Sequence, residues 1–163
     1  MKILLVVYHS MTGGALQMAY AAAAGAARAA ELHVRILAAR EAQAGDVLAA
    51  DGYVFVMPEN LGTMSGLMKD FFDRCYYPAL DRVAARPYAQ LVCAGSDGQG
   101  AARQVERIAA GWRLKAIAPP LIVCTHAQSA EQILALKRIG TEDLGRCRDM
   151  GEALAAGLAL GVY

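Results

Sequence analysis

Charge is scarce in this sequence. Charged residues fill 19% of its 163 positions, and sixteen basic side chains against fifteen acidic ones leave +1 with no block of either sign. A nucleic-acid binder needs a basic face, so no nucleic acid is expected as a partner. Nothing argues for a strongly acidic docking surface either. Cysteine is sparse: Cys75, Cys93, Cys124 and Cys147 are widely spaced and form no Cys-x-x-Cys pair. Such thiols read as reduced and mostly buried, which points to the cytoplasm. His9, His33 and His126 lack metal-ligand spacing, so no metal is expected. No membrane span is legible either. The longest apolar stretch, Ala15 to Ala30, is interrupted by Gln17 and Arg28 and falls short of a bilayer. A signal peptide is a poor match: Lys2 is a thin positive region, and His9-Ser10 then Gly13-Gly14 break the short apolar run behind it.

What the sequence does hold is apolar. Hydrophobic residues make up 56%, much of the excess being alanine, which suits tightly packed helices. A chain of this length reads as a single domain over residues 1–163, large enough to bury about 70% of its unfolded surface. Strands and helices alternate. Lys2 to Tyr8 is a nearly unbroken β-branched and leucine run, the mark of a strand covered on both faces. Ala15 to Ala30 is helical, His33 to Leu37 is a short strand nearer an edge, and Ala38 to Ala50 is weakly helical, broken at Gly45 with Asp46 as an N-cap. Gly52 to Met57 is the second strong strand, stopped by Pro58. Ser65 caps the next helix, whose Leu67, Met68, Phe71, Phe72 and Cys75 form one apolar face and which Pro78 ends. Tyr88 to Ala94 is a strand, Ala101 to Ala110 a helix, and Pro120 to Cys124 a last strand, of which Pro119-Pro120 lets only the second half join the sheet. Thr141 caps the final helix, with Glu142 and Asp143 in its first turn.

Five strands alternating with helices make an α/β fold with a parallel sheet and helices on both faces. Ligands bind such sheets outside the carboxyl ends of the strands. Three loops rich in glycine, hydroxyl and amide residues meet at that edge. Ser10-Met11-Thr12-Gly13-Gly14-Ala15 turns from the first strand into a helix. The unpaired amides and positive dipole end of that helix offer an anion site, and the glycines permit close approach. No lysine stands inside this loop, so it is not a nucleotide-triphosphate loop, and its donors suit one terminal phosphate. An ordinary glycine turn would carry the same residues. The second loop runs Pro58-Glu59-Asn60-Leu61-Gly62-Thr63, the third Ser96-Asp97-Gly98-Gln99-Gly100. Their convergence on one edge carries more weight than any one of them.

Other chemistries on this pattern fail at named positions. A phosphorylated receiver needs an acidic pair after the first strand, where Tyr8-His9-Ser10 stands. A cysteine phosphatase needs an arginine six residues after its cysteine, and none of the four has one. Gly95-Ser96-Asp97-Gly98 does not make the Gly-x-Ser-x-Gly of a serine hydrolase.

The three loops resemble those of the flavodoxin-like FMN flavoproteins, and within them the NAD(P)H:quinone oxidoreductases first described as a tryptophan-repressor-binding protein. Pro58 to Ser65, continuing as Gly66-Leu67-Met68-Lys69-Asp70-Phe71-Phe72-Asp73-Arg74, is the nearest stretch, and the likeness covers nearly the whole chain. It implies a three-layer α/β/α sandwich on a five-stranded parallel sheet of order 2-1-3-4-5. It implies FMN, with the phosphate on the first loop and the ring held by the other two, largely through backbone amides. NAD(P)H as co-substrate and a small acceptor such as a quinone follow, with a homo-oligomer, a dimer favoured. Ala15 departs from the pattern where another hydroxyl is common. The chain after the fourth strand also has no room for the segment that helps the quinone reductases form tetramers. The resemblance leaves a second reading open, a non-enzymatic electron carrier or FMN-binding module, against which the near-neutral charge weighs. No particular side chain is marked as catalytic. Glu59 and Asp97 either touch the flavin or are merely solvated. Tyr76-Tyr77 either overhang the ring, form a subunit contact or close a helix end. His9, His126, Met64 and Met68 read as structural.

Overall fold

Leu4, Leu5, Val6 and Val7 of the first strand, β1 (Lys2–Tyr8), have no exposed surface. Alternate side chains enter different cores: Leu5 and Val7 on one side of the sheet, Leu4 and Val6 on the other. The computed structural model describes residues 1–163 and places β1 second from one edge of a parallel sheet. After it come α1 (Gly14–Ala26), β2 (Leu32–Ala38), α2 (Ala44–Ala49), β3 (Gly52–Asn60), β4 (Thr63–Met64), α3 (Gly66–Ala79) and β5 (Pro87–Ala94). Then follow α4 (Gln99–Gly111), β6 (Lys115–Ala116), β7 (Leu121–Cys124), α5 (Ala130–Leu134) and α6 (Thr141–Leu160).

The strand order is β2-β1-β3-β5, and both β6 and β7 pair with β5 in parallel. The fifth place is thus one edge strand in two pieces, split around Pro119-Pro120, so the expected order holds. Helices α1 and α6 cover one face, and α2, α3 and α4 cover the other. This is the flavodoxin-like α/β/α sandwich.

Several boundaries differ from expectation. Pro58 does not stop β3, which runs on to Asn60 and folds back onto β4 as a hairpin. Tyr8 opposite Val56 is the last rung with β1, and Pro58 faces the same side two residues later. Its missing N–H therefore breaks no ladder bond, and its carbonyl accepts from the Ser65 amide at 3.2 Å. Gly45 lies inside α2, and Asp46 is its third residue, accepting from the Gln43 amide at 2.8 Å. Ser65 stands at the N-cap position of α3 but spends its hydroxyl on His9 Nδ1 at 2.8 Å. Pro78 sits within the last turn of α3 instead of ending it. Gly140, not Thr141, is the N-cap of α6.

The two helices on the α1 face meet through glycine. A β-carbon at Gly25 would overlap the Arg148 carbonyl, and one at Gly151 would overlap the Ala22 carbonyl. The backbones touch where neither side chain exists, which brings the alanine face of α1 into the core beside Leu154 and Leu158. Gly151→Ala gains helix propensity but forces the helices apart. It is expected to lower stability by about 1–3 kcal/mol, read from the guanidinium unfolding midpoint. An unchanged midpoint would show that the contact carries no stability.

Candidate functional site

A cavity of about 550 Å³ opens at the carboxyl edge of the sheet, between the loops after β1, β3, β5 and β7. Cofactor sites occupy roughly 300–1,000 Å³. Met11 and Thr12 line one side, Pro58 to Gly62 a second, and Cys93 to Ser96 the floor. Thr125, Ala127, Ile133 and Lys137 close the remaining side.

The first loop is set by glycine geometry. Gly13 is the N-cap of α1 at φ 90°, a left-handed conformation that a β-carbon disfavours. Ser10 Oγ accepts from the Gly13 amide at 3.0 Å and so shapes the loop from within. Gly14 has a different task, since a β-carbon there would stand 2.6 Å from Cys93 Sγ. Its bareness lets α1 start directly against the end of β5. No side chain caps α1, and the amides of Gly14, Ala15 and Leu16 donate to no acceptor in the chain. Aligned peptide dipoles put about half a positive charge at such an end.

Helix α4 begins at the same edge with the opposite outcome. Glu59 places one carboxylate oxygen 2.9 Å from the Gly98 amide and the other 3.1 Å from the Ala101 amide. The Glu59 carboxylate, which also lines the cavity, is thus bound at the N-terminus of α4 and not merely solvated. That contact explains why Gln99 and Gly100 form the first helical turn and not a loop. Gly100 is needed there, because a β-carbon would overlap the Gly62 carbonyl. Of the two helix N-termini at the cavity edge, that of α4 is met by a carboxylate, although its Gln99 and Gly100 amides have no acceptor in the chain, and that of α1 is met by none.

The β3–β4 hairpin turns through Leu61 and Gly62, both at positive φ, 53° and 72°. Two such residues make the turn whose twist suits a two-residue hairpin. Leucine in that conformation is strained by about 1–2 kcal/mol. Its side chain is fully exposed at the cavity mouth. The Gly62 amide has no acceptor in the chain. Asn60 Nδ2 lies 2.9 Å from Met11 Sδ, joining the second loop to the first, while Thr63 turns its hydroxyl to the Asn60 and Met64 carbonyls.

Among the residues expected at the site, Met11, Thr12, Pro58, Glu59, Asn60, Leu61, Gly62 and Ser96 line the cavity. Ser10, Gly13, Gly14 and Ala15 build the loop behind it. Asp97, Gly98, Gln99 and Gly100 do not face it, and neither does Thr63. The tyrosine pair belongs elsewhere. Tyr76 stacks on Trp112 at 5.9 Å and accepts the indole N–H on its carbonyl at 2.9 Å. From Gly66 to Tyr76 the helix runs away from the carboxyl edge by about 15 Å at 1.5 Å per residue.

Sequence reasoning missed the far wall. Gln17 grips residues 137–139: its amide nitrogen donates to the Gly13 and Lys137 carbonyls at 2.9 and 2.8 Å, and its oxygen accepts from the Ile139 amide at 3.0 Å. The one signal for it was a glutamine interrupting an alanine helix. On the floor, burial pushes the Cys93 thiol up to about 11, with the Lys137 charge acting against it. Burial also raises Cys75 to about 11 and Cys147 to about 12, so all three are thiols at neutral pH. Burial lowers the His9 pKa, which keeps the imidazole neutral beside Ser65.

Comparison with known proteins agrees with this architecture. The NADPH-dependent FMN reductase family matches residues 38–129. That is more than half of the chain, which therefore belongs to this family, and FMN binding goes with it. A flavodoxin of Aquifex aeolicus (strain VF5) is 42% identical over 69 residues, 42% of this chain and 37% of that protein. The match thus spans little over a third of the curated relative. Among solved structures, a flavodoxin from the domain Archaea has a TM-score of 0.78 at 17% identity, covering 96% of this chain and 98% of that one. A WrbA-like flavodoxin from Agrobacterium tumefaciens has 0.75 at 19% identity, covering 99% of each. Rubredoxin oxygen:oxidoreductase from Desulfovibrio gigas has 0.76 at 12%, covering 99% of this chain but 37% of that chain. These likenesses are of fold.

The residues present fit FMN. The open turn of α1 with Thr12 offers neutral donors to a phosphate, and Met11, Pro58, Leu61 and Ala94 offer apolar surface to a ring.

Two outcomes are expected. Glu59→Ala removes the clamp on α4 and is expected to cost about 1–2 kcal/mol, with faster hydrogen exchange at the Gly98 and Ala101 amides. Wild-type exchange at both would mean that the clamp is idle. At pH 8 a thiol reagent is expected to label Cys124, the one cysteine that is not buried, well before the other three. Peptide mass mapping reads the order, and early labelling of Cys93 would contradict its burial.

Proposed function

We propose that this chain is a cytoplasmic NAD(P)H-dependent FMN oxidoreductase that reduces a small acceptor such as a quinone or a flavin. Within the wider flavodoxin-like family it is nearest in kind to the tryptophan-repressor-binding-protein type quinone oxidoreductases, and it works as a homodimer. The observation that carries the reading is the contrast between two helix ends: α4 met by the Glu59 carboxylate, α1 met by no acceptor beside a cavity of cofactor size. No helix is long and apolar enough to cross a membrane.

In this reading the Gly14, Ala15 and Leu16 amides and the Thr12 hydroxyl hold the phosphate, and Ser10 keeps the loop in shape. The Gly62 amide, free of any partner in the chain, is placed to hydrogen-bond the ring and tune its potential. When bound, FMN supplies the redox chemistry, accepting two electrons from a nicotinamide and passing them on. The chain's part is to bind and orient the cofactor.

A carrier remains the second reading, and two observations favour the enzyme. The net charge of +1 lacks the acidic excess that would steer an electron-transfer partner to the chain. The cavity walls carry no aromatic side chain, so a flavin face is left for a second planar ring such as nicotinamide.

Titration of flavin-free protein with FMN and riboflavin, followed by fluorescence, is expected to show one-to-one binding that favours FMN. Thr12→Ala is expected to weaken FMN by about 1–2 kcal/mol and riboflavin little, and Gly13→Val to weaken FMN further through its positive φ. Equal loss for both flavins in Thr12→Ala would move the phosphate away from α1. Steady NADPH or NADH oxidation with a quinone is expected of the loaded protein, and its absence would favour the carrier.

A further inference from the structure

We infer that Lys137 is a positioning residue for the flavin site, tying the α5 wall of the cavity to the phosphate loop. The inference rests on the FMN reading above.

Helix α5 has little to hold it. It is five residues long and contains no buried residue, and Ile133 and Leu134 are 50% and 69% exposed. So short a helix does not persist in water on its own hydrogen bonds. Its start is capped, with the Gln132 amide donating to Ser129 Oγ at 3.2 Å. Its end is held by one side chain from outside the helix. Lys137 Nζ donates to the carbonyls of Gln132, Ile133 and Ala135 at 2.7, 2.8 and 2.6 Å.

The backbone of the same residue is fixed to the other side of the cavity. The Lys137 amide donates to the Thr12 carbonyl at 2.8 Å, and the Lys137 carbonyl accepts from Gln17. Thr12, Ile133 and Lys137 all line the cavity. One residue thereby joins the loop proposed for the phosphate to the segment that closes the far wall.

An ammonium has three N–H groups, and here all three are taken by carbonyls. None is left for a phosphate. Lys137 therefore acts on the wall and contributes alike to any ligand the wall encloses, phosphorylated or not. Without it, the wall opens for part of the time, and apparent affinity falls by the fraction of closed protein.

Lys137→Met keeps the stem and removes the donors, and Lys137→Arg keeps charge and donors. In flavin-free protein, the Met variant is expected to raise hydrogen exchange of the Ile133 and Ala135 amides by about ten-fold while β5 is unchanged. FMN and riboflavin affinities are expected to fall by a common factor, and Arg is expected to restore both exchange and affinity. Unchanged exchange in the Met variant would overturn the inference. So would a loss confined to FMN, which would put the ammonium on the phosphate, or a common loss that Arg does not relieve. If the wild type binds neither flavin, the FMN reading fails, while the exchange measurement still decides whether Lys137 holds the wall.

Discussion

Among the helices that start at the carboxyl edge of this sheet, α1 and α4 flank the cavity, and the way their first turns are met organises the site around them. Glu59 reaches from the end of β3 to the Gly98 and Ala101 amides and fixes the hairpin against α4. That contact is close enough to require glycine at position 100. Gly13 takes the opposite course, since as N-cap of α1 it brings no side chain to the amides of the first turn. A buried helix end without partners is costly, so an open one beside a cavity is retained where a ligand completes it.

The loops are joined to each other by the protein itself. Asn60 meets Met11, Lys137 meets Thr12, and Gln17 binds Gly13 to residues 137–139. A cavity whose walls are cross-linked in this way loses little further freedom when it is filled, and that spares affinity. The strain at Leu61 and the free amide at Gly62 belong together: a hairpin held in an uncommon turn presents backbone as well as side chains to the site.

Much of this was legible in the sequence. The apolar runs at Lys2 to Tyr8 and Gly52 to Met57 marked the central strands, because strands covered on both faces leave no polar positions. The loops at Ser10 to Gly14 and Pro58 to Gly62 announced themselves by composition. What the sequence hid was partnership. Nothing local says that Glu59 belongs to a helix beginning near residue 98, or that Ser65 prefers His9 to its own helix. Pro58 misled because its effect depends on where the neighbouring strand ends, which is a property of register. Asp97 to Gly100 looked like loop until the distant carboxylate made a helical turn of their second half. Residues 128–140, with no strong period and no glycine cluster, gave no sign of forming a wall.

The glycine contact between α1 and α6 also has a temporal meaning. The face of α1 that carries Ala15, Met18 and Ala22 is covered by a helix from the far end of the chain. Arg28, just past the end of α1, pairs with Glu152 of α6, 124 residues away. At roughly 5–20 residues per second of synthesis, that face waits on the order of ten seconds for its cover. The alanine that fills it is the least adhesive of apolar side chains, so the nascent chain bears a smooth surface during the wait.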